Sequence, residues 1–124
     1  MTSEQLVSDL KCAIHDRAIE GVAAQLAKPS GRKPTPKSLE LSAWFCDLDD
    51  EQKSHVLSVV ALGVHAALFG ILCAIDGVTK VTDGDLALEV VTSGQRSRFP
   101  SDTDEFLHDL YQAQVFDETF GPVA

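Results

Sequence analysis

The sequence predicts one α+β domain in which helices dominate: a central buried apolar helix, flanking helices and a small antiparallel β-hairpin or meander. Three observations predict this class. A run at 56–75 carries no formal charge, and segments on both sides of it repeat apolar residues at helical spacing. After residue 77 the pattern changes to short alternating stretches typical of strands. Because 124 residues is the length of one ordinary domain, residues 1–124 are expected to form a single unit.

The N-terminal segment is predicted to be an amphipathic helix. Thr2 can cap its start, with Gln5 as the reciprocal partner of a capping box, and Pro29 ends it. Leucine, isoleucine and valine recur at turn spacing along it, at positions 6, 10, 14, 22 and 26. This pattern predicts one apolar stripe and one solvated face.

Residues 28–37 are predicted to form a basic, proline-rich loop between the first helix and the rest of the chain. Its four cations could bind an anionic ligand, although a solvated connector is the preferred interpretation. Charge is segregated along the chain. Residues 1–37 hold six cations and four anions, a net +2, whereas the remainder holds four cations and fifteen anions, a net −11.

A short helix is predicted from residue 38 onward, with Trp44 as an anchor in the core. The acidic residues that follow it are expected to cap the next helix, because anionic groups complement the positive end of a helix. The same carboxylates are the candidate interaction surface for a basic partner, namely Asp47, Asp49, Asp50 and Glu51.

The central helix is predicted to run from residue 51 to residue 75. Its uncharged run reaches the ~20 residues of a membrane span, and small residues recur four apart at positions 63, 66, 67 and 70. His65 within the run, and flanks that lack a cationic cluster, favour a buried core helix over a membrane span. An interface between copies of the chain is the third interpretation, so a homodimer is a further hypothesis.

Strands are predicted at 78–82 and 86–92, with a short third strand at 96–99 and a turn at 93–95. Gly77 is expected to end the central helix in a left-handed conformation. A dense helix-start signal at 101–105, with Ser101 as the cap, predicts a C-terminal helix. That helix is needed because a small sheet must bury its apolar face against another element.

Strong catalytic and metal-binding patterns do not occur in this sequence. It has no His-x-x-x-His or Cys-x-x-Cys spacing, no Gly-x-Ser-x-Gly and no glycine-rich phosphate loop. No catalytic residue, metal or cofactor is therefore predicted. The one candidate ligand site is a pocket near Gly63, His65, Gly70 and Cys73, where missing side-chain volume would leave room for a small molecule.

Location and partners follow from the termini, the cysteines and the charge. The first residues lack the basic start and apolar run of a secretory signal, so a cytoplasmic location is expected. Cys12, Cys46 and Cys73 are then reduced and are interpreted as small buried hydrophobes. A net charge of −9 disfavours nucleic acid as a partner, and no membrane partner is expected.

Three stretches together resemble a pattern found in small bacterial proteins of uncharacterised function. They read Trp-Phe-Cys-Asp-Leu at 44–48, Phe-Gly at 69–70 with Ile-Asp-Gly at 75–77, and Phe-Leu-His-Asp-Leu at 106–110. The resemblance implies a bacterial domain with a helix, a hairpin and a closing helix in that order. It implies no activity, ligand or catalytic residue.

Two hypotheses for function follow from the sequence. The first is a non-enzymatic interaction module whose acidic surface meets a basic partner protein, as a neutraliser or regulator of that partner would. The second is a small-molecule binder or enzyme with a pocket near His65. The charge excess and the missing catalytic patterns favour the first.

Overall fold

A computed structural model describes residues 1–102 and 105–122, and it confirms the helix-dominated α+β class. The elements in chain order are α1 (Ser3–Leu10), a π-helical segment (Lys11–Asp16), α2 (Arg17–Ala27), α3 (Pro36–Cys46), α4 (Asp50–Ile75), β1 (Leu88–Thr92), β2 (Gln95–Phe99) and α5 (Leu107–Phe120).

The N-terminal helix begins with the predicted capping box. The Gln5 amide donates to Thr2 Oγ1 at 3.1 Å, and the Thr2 amide donates to Gln5 Oε1 at 2.8 Å. The helix is not a single regular α-helix, however, because the π-helical segment lies between α1 and α2. The backbone remains helical on both sides of this segment, so the three parts form one continuous helix. Apolar spacing in the sequence did not reveal this segment.

The short helix α3 begins at Pro36, where Thr35 accepts a hydrogen bond from the Ser38 amide at 3.1 Å. The prediction that Trp44 anchors the core is wrong, since Trp44 is 51% exposed while Phe45 is buried. The side of α3 that meets α2 is set by Ser42, whose hydroxyl donates to the Leu26 carbonyl at 2.8 Å. That contact turns the indole outward.

The long helix α4 is buried along one side only, which corrects the expectation of a helix enclosed all round. Only 22% of its most apolar 18-residue window is buried. Elements α5, α2 and the π-helical segment pack against one side, where Leu68 and Leu72 are buried. On the other side Val59, Leu62 and Ile71 are exposed. By length and composition alone, α4 is also long and apolar enough to cross a membrane.

The sheet is the antiparallel hairpin of β1 and β2, in register from Leu88 opposite Phe99 to Thr92 opposite Gln95. Its turn lies at Ser93 and Gly94, both with positive φ, inside the predicted turn. The strand predicted at 78–82 is not formed. The amides of Val78 and Thr79 donate instead to the Cys73 carbonyl, at 2.9 and 3.3 Å, which holds this segment against the end of α4.

Helix α5 begins at Leu107, later than the 101–105 start predicted, of which residues 103 and 104 lie outside the described residues. Its first turn is bound by Asp76, which directly follows α4. The Asp76 carboxylate accepts from the Leu107 amide at 3.1 Å and from the His108 amide at 2.8 Å, and lies 2.6 Å from His108 Nδ1. Gly77 adopts the left-handed conformation predicted for it, with φ of 80°.

One core cluster joins α1, α4, β2 and α5. Its buried members are Leu6, Val7, Leu68, Leu72, Phe99, Leu107, Tyr111 and Val115. The core therefore lies between one side of the C-terminal half of α4, α5 and α1, and the hairpin contributes Phe99 to it.

Candidate functional site

The four residues of the predicted pocket lie on different sides of α4. Gly63 and Gly70 are exposed, whereas His65 and Cys73 are buried. A Cβ added at Gly63 or Gly70 would meet nothing within 4 Å, so neither glycine is required by a neighbouring part of the chain. The structure therefore does not bring these four residues together around one cavity.

His65 lies in an aromatic cluster between α4 and α5. Its ring stacks on Tyr111 and Phe69, with centroids 5.5 and 5.4 Å away, and meets the edge of Phe120 at 4.9 Å. Burial lowers the pKa of His65, and the nearby His15 ring lowers it further. The imidazole is thus neutral at neutral pH and packs as an aromatic side chain.

A second buried histidine, His15, comes from the π-helical segment. It is 1% exposed, and its Nδ1 lies 2.6 Å from the Tyr111 hydroxyl. Burial raises the pKa of Tyr111 to about 12, and the carboxylates of Glu118 and Asp16 add to this, so the hydroxyl keeps its proton. The contact fixes the ring orientation of His15 and points Nε2 toward Glu118, 3.7 Å away.

An ion cluster surrounds His15 Nε2. The Lys11 ammonium lies 3.2 Å from Asp16 and 3.3 Å from Glu118. Residues five apart lie one above the other in a π-helix, whose hydrogen bonds run from i to i+5, which explains the pairing of Lys11 with Asp16. Partial burial lowers the pKa of Lys11, but its hydrogen bonds to the two carboxylates outweigh this and the pKa is raised.

A cleft of about 500 Å³ lies beside this cluster, between the π-helical segment, α2, the first half of α4 and the end of α5. His15, Lys53, Ser58, Glu118 and Thr119 line part of it. Two polar atoms at its wall, His15 Nε2 and Thr119 Oγ1, are buried and have no hydrogen-bond partner within the described part of the chain. Unpartnered buried polar atoms are rare and call for an explanation.

The acidic residues chosen from the sequence lie together at the start of α4. Asp49 caps the helix by accepting from the Gln52 amide at 2.7 Å, as predicted from the sequence. Asp47, at the end of α3, and Asp50 and Glu51, in the first turn of α4, are exposed. Three carboxylates are therefore open to a partner, and the fourth is engaged in capping.

The exposed side of α4 forms a continuous apolar surface, which we call the α4 apolar face. Its members share exposure and helical spacing, and they are Val59, Leu62, Gly63, Ala66, Ala67, Gly70 and Ile71. Large apolar side chains stand at both ends and at Leu62, while the centre has only small residues. The predicted pocket residues Gly63 and Gly70 belong to this face.

Sequence reasoning missed His15, Tyr111 and Glu118 as site residues. They lie in the first and last helices of the chain, so no local spacing joins them. The only local signal in the sequence is that His15 lies beside the apolar stripe of the first helix, and this position does not show that Tyr111 and Glu118 contact it. The cysteine interpretation was also wrong in part, because Cys12 and Cys46 are exposed and Cys73 alone is buried.

Comparison of the chain with protein-family models, with curated proteins and with solved structures gives no match.

Proposed function

We propose that the chain is a non-enzymatic interaction module, which binds a basic partner protein through the α4 apolar face and the acidic residues at the start of α4. One observation carries the proposal: this face is exposed in an acidic chain, with Val59 65% exposed and Ile71 49% exposed. Contiguous apolar surface bordered by charged residues is typical of protein-binding sites, whereas apolar residues exposed singly are not.

One acidic residue, Glu51, continues the α4 apolar face, whereas Asp50 lines the cleft beside His15. Glu51, His55 and Val59 follow one another at intervals of four, so they share one side of the helix. The Glu51 carboxylate lies 3.7 Å from His55 Nε2, consistent with this alignment. The surface therefore has an apolar body and an acidic end, and a complementary partner has an apolar helix with a basic end.

Charge favours a basic partner over the other occupants of an apolar face. The chain carries a net charge of −9, with +2 in residues 1–37 and −11 in the rest, so two copies repel each other. The anionic surface of a bilayer would repel the acidic start of α4 in the same way. A basic protein is instead attracted and oriented by this field, which speeds association and lowers the energy of the complex.

The small residues of the face support a helix as the binding element of the partner. Gly63, Ala66, Ala67 and Gly70 leave a shallow centre in which another helix can approach α4 closely. The larger Val59 and Ile71 stand at the two ends of this centre and would contact the approaching helix there.

The proposal is tested with two synthetic helical peptides that share an apolar stripe and differ only in a lysine-rich or glutamate-rich end. Fluorescence anisotropy at low salt should show the lysine-ended peptide binding at least about tenfold more tightly, with an affinity that falls as salt rises. Val59→Glu should weaken binding at least about tenfold, since it buries an unpaired charge in the interface.

Val91→Glu on β1 is the matched control, because Val91 is 60% exposed and lies outside the α4 apolar face. It should leave the affinity unchanged. The proposal would be overturned if the two peptides bound equally tightly, if the affinity did not change with salt, or if Val59→Glu and Val91→Glu weakened binding equally. Self-association lost in Val59→Glu would assign the face to a second copy, and flotation with vesicles would assign it to a bilayer; either result would also overturn it.

A further inference from the structure

The three side chains His15, Asp16 and Glu118 bring one nitrogen and two carboxylate oxygens to within 4.8 Å of one another. Ligands of one tetrahedral ion at ~2.0–2.2 Å lie ~3.3–3.6 Å apart, so the three side chains close by up to about 1 Å when they share an ion. Asp16 and Glu118 are partly exposed and can rotate by this amount without disturbing the core. No other group of this kind occurs within residues 1–102 and 105–122.

The nitrogen ligand is prepared for this role by its surroundings. His15 is 1% exposed, Nδ1 is held by the Tyr111 hydroxyl at 2.6 Å, and Nε2 faces the cleft without a hydrogen-bond partner in the described ranges. Metal-binding histidines donate the N–H of one ring nitrogen and direct the lone pair of the other at the ion, so in the proposed site Nδ1–H donates to the Tyr111 oxygen and Nε2 is the ligand. A buried polar atom without a partner is costly, and a bound cation would provide one.

The π-helical segment is the structural element that makes the cluster possible. It presents His15 and its neighbour Asp16 toward the same part of α5, where Glu118 lies. Such segments are uncommon in proteins and occur frequently at functional sites. The aromatic packing of the core does not account for the position of Asp16, which lies outside that core.

From these contacts we propose that His15 Nε2, Asp16 and Glu118 bind a divalent transition-metal ion such as Zn²⁺. One imidazole and two carboxylates suit this class of metal, whereas Mg²⁺ prefers oxygen ligands alone. Three protein ligands leave coordination positions open, and the open side faces the cleft of about 500 Å³, so water or a small anion completes the coordination.

The Lys11 ammonium lies beside two of the proposed ligands. It lies 3.2 Å from Asp16 and 3.3 Å from Glu118, which holds the two carboxylates close together. Metal binding displaces the ammonium, and the long side chain turns to solvent from a position that is already 24% exposed. Lys11 therefore competes with the metal, and its removal strengthens metal binding.

Calorimetric titration of chelator-treated protein with Zn²⁺ tests the proposal. One ion per chain should bind, and Mg²⁺ should not compete. Glu118→Gln should weaken the affinity tenfold or more, whereas Glu40→Gln, an exposed acid on α3, should not change it. Lys11→Met should tighten binding severalfold, with Lys37→Met as its control. The helical circular dichroism of each variant should match that of the parent, since the replaced residues are partly or largely exposed.

Cobalt identifies the ligands. The Co²⁺ complex should lack the thiolate-to-metal charge-transfer band, because none of the proposed ligands is a cysteine. The Tyr111→Phe variant should bind the metal about tenfold more weakly, because Tyr111 positions His15. A thiolate band that disappears in Cys12→Ser would assign the metal to the exposed Cys12 and overturn the proposal. Failure of the Lys11→Met variant to bind one Zn²⁺, or equal affinity in Glu118→Gln, would also overturn it. Peptide binding at the α4 apolar face should be unaffected by any of these variants, so the two proposals fail separately.

Discussion

Replacing Asp76 should destabilise the chain more than replacing any exposed helix cap, because one buried carboxylate joins two helices. Its side chain is fully buried, and it accepts from the Leu107 and His108 amides and contacts His108 Nδ1. An exposed cap is worth about 1 kcal/mol. Here Asp76→Ala also leaves buried donors without an acceptor, at roughly 1–3 kcal/mol each. We expect the free energy of unfolding to fall by about 3 kcal/mol.

Urea denaturation followed by circular dichroism measures this loss, with Asp49→Ala as the matched control. Asp49 caps α4 through a solvent-exposed capping box with Gln52, so its replacement should lower the free energy of unfolding by about 1 kcal/mol. In a domain of this size 1 kcal/mol corresponds to a shift of roughly 4 °C in Tm, so the two variants should differ by several degrees. Equal losses for Asp76→Ala and Asp49→Ala would refute the role of Asp76 in joining α4 to α5.

Two further predictions concern buried titratable groups. Burial lowers the pKa of His65, and His15 lowers it further. As the pH falls below the ordinary pKa of 6.5, His65 is therefore protonated in the unfolded chain before it is protonated in the folded chain, which favours unfolding. Stability should therefore fall from pH 7 to pH 5 more steeply in the parent than in His65→Phe, measured by urea unfolding; parallel curves would contradict this. Burial also raises the pKa of the Cys73 thiol, with Asp76 and Asp109 adding to it. A thiol reagent should label Cys12 and Cys46 in the folded chain and Cys73 only in urea, and three equal rates would be inconsistent with the fold.

Features set by neighbouring residues could be predicted from the sequence. The capping box at Thr2, an acidic cap for α4, the left-handed Gly77 and the hairpin turn at Gly94 each depend on residues within a few positions. The extent of α4 was predicted to within one residue of Asp50–Ile75, because its apolar run is long and ends at Asp-Gly.

Features set by distant contacts could not be predicted. Asp76 binds the start of α5, so the strong local start signal at 101–105 was misleading. The residues at 78–82 have the composition of a strand but donate their first amides to the end of α4. Which aromatic residue of α3 enters the core depended on the contact of Ser42 with α2, which no periodicity records.

The candidate sites were predicted only in part, because some of their residues are neighbours in the chain and others meet only in the folded structure. The sequence identified the small residues of α4 and the acids at its start, since both are continuous in the chain. It did not identify the exposure of the α4 apolar face, because an apolar helix has the same composition whether it is enclosed or open on one side. The cluster of His15, Asp16 and Glu118 depends on the packing of the first helix against the last.

The central claim, that the α4 apolar face is a free protein-binding surface, is tested most directly by a spin label at position 66. Ala66→Cys is labelled in a chain in which Cys12 and Cys46 are replaced by serine. Electron paramagnetic resonance should show a mobile, water-accessible label in the free chain and an immobilised one when the lysine-ended peptide is added. A label that is immobilised in the chain alone, or that becomes accessible to oxygen in the acyl region of vesicles, would contradict the claim.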